Sequence, residues 1–160
     1  LQGDIEWETF NNNLQTFFKE GKKLSDFEKS ITKNLKGKSL LNIWQSTFKN
    51  LSEEFKKESP KKRVKWVGPD MSVISSISAR HMETWAHSQA IYDTIGKVRN
   101  NKDRILNIVI IGNNTFEWTY KVNNREIPSE KPYLRLISPS GKVWEFNDPS
   151  NEESIEGLAE

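Results

Sequence analysis

Apolar residues recur every three or four positions along most of this chain, and this spacing restricts the possible folds more than any other feature of the sequence. A helix completes a turn in about 3.6 residues, so such spacing collects the apolar side chains on one helical face. The pattern predicts helices over residues 4–20, 25–37, 39–59 and 72–98. Asp103 is a candidate cap for a further helix; the apolar residues 105–111 suit a buried strand as well, and the helical spacing that continues to Tyr120 favours the helix. The longest run consists of Leu40, Leu41, Trp44, Phe48, Leu51 and Phe55.

Beyond Pro128 the apolar period changes to two, which is the period of a β-strand. Residues 133–137 and 142–146 lie on either side of the turn-forming sequence Ser-Pro-Ser-Gly, so they predict an antiparallel β-hairpin. Residues 155–160 predict the start of another helix. We therefore expect a mainly α fold, with a helical part at 1–125 and a small β element plus the start of a C-terminal helix at 126–160.

Charge and cysteine content exclude several classes of site and partner. The chain has 24 Lys and Arg against 22 Asp and Glu, a net charge of +2, which argues against a nucleic-acid-binding surface. The absence of cysteine excludes disulfides, thiolate metal sites and a thiol nucleophile. The longest apolar run, residues 108–111, is far too short to cross a bilayer, and no leader sequence opens the chain. These features predict a soluble cytoplasmic protein without a membrane partner.

A basic segment follows the third predicted helix. It has two interpretations: a phosphate-binding patch with Trp66 as a stacking aromatic, or a solvated loop before an extended stretch at 64–67. The low net charge favours the second interpretation. The six cations are Lys56, Lys57, Lys61, Lys62, Arg63 and Lys65.

Two histidines restrict any metal or acid–base site to His81 and His87. At about 100° per residue, Glu83 and His87 lie about 40° apart on one helical face, whereas His81 lies about 120° from His87. Carboxylate oxygen and imidazole nitrogen both bind zinc, and a third ligand from another helix would leave one position open. A Glu and a His four residues apart also form ordinary surface ion pairs, and the spacing alone leaves that alternative open.

Neighbouring side chains on the same helix have candidate supporting roles. Gln89 and Asp93 could hydrogen-bond to the ligands and orient them, although exposed polar positions on a helix are the simpler explanation. Trp85 and Trp66 are better explained by packing than as platforms for a substrate.

Three segments together resemble a known family. They are Gly68-Pro69-Asp70-Met71-Ser72, the stretch Ala79-Arg80-His81-Met82-Glu83-Thr84-Trp85-Ala86-His87-Ser88-Gln89, and Asp93-Thr94-Ile95-Gly96. The chain resembles the metal-binding relatives of mycothiol-dependent maleylpyruvate isomerase in the DinB/YfiT-like superfamily, and more narrowly a subgroup labelled for wyosine base formation. The resemblance extends over nearly the whole chain.

The resemblance implies a four-helix bundle that holds a divalent metal, generally zinc, through an N-terminal histidine and a Glu and a His four residues apart. Glu83 and His87 match the last two ligands, and the N-terminal histidine has no counterpart. Residues 1–20 match the part of the family that follows its first helix, so we expect the third ligand upstream of Leu1. A bundle without its first helix would leave apolar faces partly uncovered, so we expect this chain either to be less stable than one that includes that helix or to self-associate, with a homo-oligomer as one form of self-association.

The family's activity implies a zinc- and thiol-dependent isomerase or transferase that acts on a small molecule. The chain has no cysteine, so the sulfur nucleophile would come from a low-molecular-weight thiol, and Arg80 would orient Glu83 or bind an anionic substrate. Two residues depart from the family pattern: Ala90 replaces an Asp, and His81 replaces an apolar residue. Two alternatives stay open: a bundle that binds a metal or ligand without catalysis, and a wyosine-related tRNA protein.

Overall fold

The computed structural model describes residues 2–33, 35–66 and 68–159 and is mainly helical, with small sheets. The predicted mainly α class with a C-terminal β element is thereby confirmed. Contacts between residues divide the chain into two compact units, Leu1–Ile74 and Ser75–Glu160. The helices are α1 (Gln2–Lys19), α2 (Leu24–Thr32), α3 (Gly37–Lys57), α4 (Val73–Thr94), α5 (Leu106–Asn114) and α6 (Phe116–Val122), and the strands are β1 (Arg63–Val64), β2 (Met71–Ser72), β3 (Tyr133–Ile137), β4 (Val143–Phe146) and β5 (Ser154–Leu158).

The core of the first unit lies between α1 and α2. Leu14 of α1 and Phe27 of α2 are buried, and Phe27 meets the rings of Phe10 and Phe17 edge-on at 5.4 Å and 5.2 Å between centroids. Gly21, at a φ of +72°, reverses the chain between the two helices. The amphipathic pattern predicted from the sequence therefore produces a helical hairpin with an aromatic core.

Helix α3 differs from its neighbours because none of its residues is buried. It spans Gly37–Lys57, two residues nearer the N-terminus at each end than the predicted 39–59, and several of its large apolar side chains are substantially exposed. Of the described residues in the extended stretch predicted at 64–67, only Val64 lies in a strand. Strands β1 and β2 form a short antiparallel ribbon, with Arg63 opposite Ser72 and Val64 opposite Met71. Residue 67, at the end of that stretch, lies outside the described part of the chain.

The second unit contains a three-stranded sheet in the order β4-β3-β5. The predicted hairpin is confirmed: β3 and β4 are antiparallel, with Leu136 opposite Trp144. The helix expected at 155–160 is wrong, because Ser154–Leu158 forms a strand parallel to β3. The backbone groups along the second edge of β3 pair with this segment, and Gly157 lowers its helical propensity.

The apolar segment after residue 102 is helical, as its spacing predicted. It begins with a short turn of 3-10 helix at Asp103–Ile105 and continues as α5 and α6. Asp103 does not cap this helix, since Lys102 occupies the capping position. Instead its carboxylate accepts hydrogen bonds from the backbone N–H and the hydroxyl of Ser140, at 3.0 and 2.6 Å, and so joins the helix start to the β3–β4 turn.

The two units divide the chain at a different place from the expected boundary near residue 125. Helices α4 to α6 belong with the sheet because they share apolar contacts with it: Trp85 and Ile105 line one cleft together with Leu136 and Leu158. A boundary near residue 125, where the apolar spacing changes from helical to strand-like, separates residues that contact each other in the second unit.

Candidate metal site on helix α4

Helix α4 carries every side chain proposed from the sequence for the metal site. It ends where Gly96 takes a φ of +62°, and the N–H groups of Gly96 and Lys97 bond back to the carbonyls of Asp93 and Tyr92. This left-handed end is a common glycine-dependent helix stop. The helix is therefore regular across residues 80–93, and spacing along it determines which side chains share a face.

Glu83 and His87 contact each other on the solvent side of α4. Glu83 Oε2 and His87 Nε2 are 3.1 Å apart, and the two side chains are 62% and 84% exposed, respectively. Which imidazole nitrogen carries the proton depends on the tautomer. The sequence prediction that these two groups form a pair on one face is confirmed.

The donor chemistry of this pair suits a zinc ion. Two ligand atoms that lie about 2.0–2.1 Å from one tetrahedral zinc are about 3.3 Å from each other, close to the distance between these atoms. Over the ranges that the structure describes, no group of three or more His, Cys, Asp or Glu side chains comes together. The pair supplies two of the ligands that a zinc site requires.

The surroundings of the pair combine one cation with uncovered apolar residues. At about 100° per residue, Arg80 lies about 20° around the helix from His87, two turns towards the N-terminus, and Ile91 lies about 40° from it, one turn towards the C-terminus. Ile77 and Ile91 are 45% and 63% exposed. The face that carries Glu83 and His87 is thus bordered by apolar surface open to solvent.

Gln89 and Asp93 do not join the pair. The Gln89 side-chain amide donates to Asp93 Oδ1 at 2.7 Å, and both residues are exposed. Gln89 lies about 160° around the helix from His87 at the standard rise and turn. In this structure the two polar residues bond to each other rather than to Glu83 or His87.

His81 lies away from the pair in a half-buried position. Burial lowers the pKa of His81 below its ordinary value, and the positive charge of Arg104 lowers this pKa further. Because the ordinary pKa of histidine, about 6.5, already lies below 7, this lowering favours the neutral ring at pH 7. Its placement agrees with the prediction that it cannot share an ion with His87.

The sequence interpretation missed a cluster on the opposite face of α4, formed by Trp85, Arg99 and Asn101. The Arg99 guanidinium lies 4.2 Å from the centroid of the Trp85 ring and donates to the Trp85 carbonyl oxygen and to Ser88 Oγ. Trp85 Nε1 donates to Asn101 Oδ1 at 2.9 Å. Arg99 follows Gly96, so only the reversal of the chain brings it back to Trp85, and no local pattern indicates this.

Trp85 also borders an apolar cleft of about 220 Å³ in the second unit. The cleft lies between the helices and the sheet, and Trp85 points towards it while Glu83 and His87 face solvent. The packing role predicted for Trp85 is confirmed. The lining residues are Trp85, Ile105, Ile108, Val109, Leu136, Leu158 and Ala159.

The basic segment behaves as a solvated surface. Lys56, Lys57 and Lys62 form ion pairs with Glu53, Glu54 and Glu58 of the same segment, at 2.6–2.7 Å. Lys65 lies 4.0 Å from Glu8. Since carboxylates already partner these ammonium groups, the segment offers less positive potential to a polyanion than its six cations indicate.

Comparison with known proteins gives two relatives, both from Mycobacterium tuberculosis and both named only as uncharacterized proteins. One is from strain CDC 1551 / Oshkosh and the other from strain H37Rv, and each is 34% identical to this chain over 121 residues. The match covers 76% of this chain and 47% of each relative, so the chain spans about half the length of the curated relatives it matches. No family model and no solved structure matches the chain.

Within the described ranges, no helix combines the length and the apolar character that crossing a membrane requires.

Proposed function

We propose that this chain is part of a divalent-metal-binding protein of the DinB/YfiT-like superfamily, with zinc as the metal and Glu83 and His87 as two of its ligands. The observation that supports the proposal is the 3.1 Å separation of Glu83 Oε2 and His87 Nε2 on an exposed face of α4. The residues that resemble the family's ligand motif are the same two residues. If Glu83 and His87 served only the stability of α4, their interaction would contribute a few tenths of a kcal/mol, so helix stability explains little about why these two zinc-binding side chains lie together.

The four-helix bundle belongs to the same proposal. Exposed Ile77 and Ile91 border the Glu83–His87 face, and a further helix packed there would bury them and bring additional ligands to the ion. An ion held between helices is the usual arrangement of metal sites in bundles.

The chemistry we propose is a thiol-dependent isomerisation or transfer on a small substrate. A zinc ion at this position would lower the pKa of a bound thiol or water and supply a nucleophile near neutral pH. The chain contains no cysteine, so the thiol would be a separate small molecule. Arg80, on the same face, is placed to bind an anionic group of a substrate or thiol.

Zinc binding is the first test. Chain stripped with a chelator should bind about one zinc per chain in an equilibrium titration carried to zinc concentrations that saturate a site with two protein ligands. The His87→Ala and Glu83→Gln variants should lose most of that zinc. The matched control is His81→Gln, which removes the other histidine and should bind zinc as the unchanged chain does. Equal zinc content in the His87→Ala variant and the unchanged chain would refute the proposed ligands.

The second test separates catalysis from binding alone. Zinc-loaded chain is mixed with a panel of low-molecular-weight thiols and with substrates that report thiol addition or cis–trans isomerisation. Acceleration that His87→Ala abolishes would support the enzyme. Zinc binding without acceleration by any thiol would favour the non-catalytic metal-binding bundle.

A further inference from the structure

The apolar stripe of α3 is a large, poorly covered apolar surface of the first unit. Its side chains are 40–57% exposed, although large apolar residues at helical spacing are usually buried. Monomeric proteins rarely expose a continuous apolar patch of this kind without a partner. We call this surface the α3 stripe; it consists of Leu40, Leu41, Ile43, Trp44 and Phe48.

The arrangement of the stripe is nearly symmetric about its centre. Trp44 lies in the middle and stacks on Phe48 at 5.8 Å between ring centroids, with Leu40 and Leu41 one turn towards the N-terminus. If two such helices lie antiparallel with Trp44 near the two-fold axis, Phe48 of each meets Leu40 and Leu41 of the other. A two-fold axis requires this kind of self-complementary surface.

The charges beside the stripe support the same orientation. Lys36, the N-cap residue of α3, lies eight residues before Trp44, and Glu54, which pairs with Lys57 on its own helix, lies ten residues after it. In an antiparallel pair centred on Trp44, the start of one helix lies beside the last turns of the other, so Lys36 of one copy comes to about the same height along the helix axis as Glu54 of the other, twice in each dimer. Lys38 and Lys49 lie about 120–140° from Trp44, away from the contact.

The exposed area also fits a dimer. A stable interface buries about 800 Å² per partner, about 65% of it apolar in homodimers, which requires about 500 Å² of apolar surface. Aromatic side chains bury about 150–250 Å² each, so Trp44 and Phe48, which are exposed by about half, together offer on the order of 150–250 Å². Three aliphatic side chains that are 40–49% exposed, Leu40, Leu41 and Ile43, add to this area, so the α3 stripe supplies a substantial part of what a homodimer needs.

From these observations we infer that two copies of this chain associate through the α3 stripe as an antiparallel helix pair with Trp44 at its centre. The pairing involves only the first unit and does not depend on a metal at α4. It identifies the surface through which the self-association expected from the sequence would occur.

The oligomeric state tests the inference. Light scattering on a sizing column should give twice the 18.6 kDa of one chain. The Trp44→Asp variant should elute as a monomer with unchanged helical circular dichroism. Trp118→Asp is the matched control, because Trp118 is 50% exposed on α6 and its variant should remain dimeric. A monomeric unchanged chain, or a dimer that survives Trp44→Asp, would overturn the inference.

A charge exchange tests the antiparallel orientation separately. Lys36→Glu or Glu54→Lys alone places like charges together and should raise the dimer dissociation constant about threefold to tenfold. The double variant restores opposite charges and should return the constant to its original value. Failure of the double variant to recover would refute this pairing, and it would do so without any consequence for zinc binding at Glu83 and His87.

Discussion

The two faces of helix α4 differ in how far the rest of the second unit covers them, since Trp85 is half-buried whereas Glu83 and His87 are exposed. Trp85 faces the second unit, where Arg99 covers its ring and Asn101 accepts its indole N–H. Glu83 and His87, about 160° around the helix, contact each other and solvent. The comparison shows that the Trp85 face packs within the unit, whereas the exposed Glu83–His87 face, where we propose zinc binding, contributes little to the fold.

The largest expected effect comes from removing the packed face. Trp85→Ala deletes the ring under Arg99 and one wall of the apolar cleft, and should lower the free energy of unfolding by about 2–3 kcal/mol. Urea denaturation followed by circular dichroism measures this. Trp118→Ala, on an exposed tryptophan of the same unit, should cost about 0.5 kcal/mol or less. Equal losses in the two variants would show that the Trp85 cluster has no special structural role.

A smaller effect is expected from Asp103, which ties the start of the α5 region to the β3–β4 turn. The pKa of Asp103 is lowered mainly because its carboxylate accepts a hydrogen bond from the Ser140 hydroxyl. The pKa of Asp103 is lower in the folded chain than in the unfolded chain, where it is about 3.9. The stabilisation by its carboxylate is therefore fully present at pH values above this unfolded pKa and is lost as the pH falls through the folded pKa. Asp103→Ala should therefore be less stable than the unchanged chain near neutral pH.

The same comparison has an internal control in acid. Thermal unfolding of the two proteins should converge once the pH is below the folded pKa of Asp103, since the carboxylate is then protonated in both states. A difference between the melting temperatures that is the same at all pH values would indicate that Asp103 acts through packing and not through its charge.

His81 should make the packed side of the second unit sensitive to mild acid. Burial is the main cause that lowers its pKa, so the unfolded chain binds a proton more readily than the folded chain. Stability should fall as pH decreases from about 7 to about 5, and His81→Gln should lose part of that dependence. The measurement is the urea midpoint at each pH, and an identical slope in the variant would contradict the prediction.

The smallest effect on stability is expected on the exposed face. With a chelator present, Glu83→Gln and His87→Ala should each change the free energy of unfolding by only about 0.5 kcal/mol or less, the value of an exposed pair four residues apart. Urea denaturation measures this on the same scale as Trp85→Ala. A loss as large as that of Trp85→Ala would mean that the pair serves the fold, and the contrast between the two faces of α4 would disappear.

Much of the helical structure could be predicted because it depends on residues near one another in sequence. The spacing of Leu40, Trp44 and Phe48 predicted α3, and the four-residue separation of Glu83 and His87 predicted their contact. The simpler interpretation of Gln89 and Asp93, as exposed polar positions on the helix, agrees with the structure, in which both are exposed and hydrogen-bond to each other four residues apart. Arg99 was missed since its contact with Trp85 depends on a chain reversal.

The sequence by itself determined the helices, the hairpin turn and the position of two potential zinc ligands on one face, since local hydrogen bonds and side-chain periodicity decide all of these. Tertiary structure decided that residues 154–158 form a strand, because the unpaired edge of β3 supplies backbone partners that a local pattern cannot show. It also decided which apolar faces are covered. Periodicity places side chains on a face, and only the packing of distant segments determines whether that face is partly covered, as at Trp85, or exposed, as at Trp44.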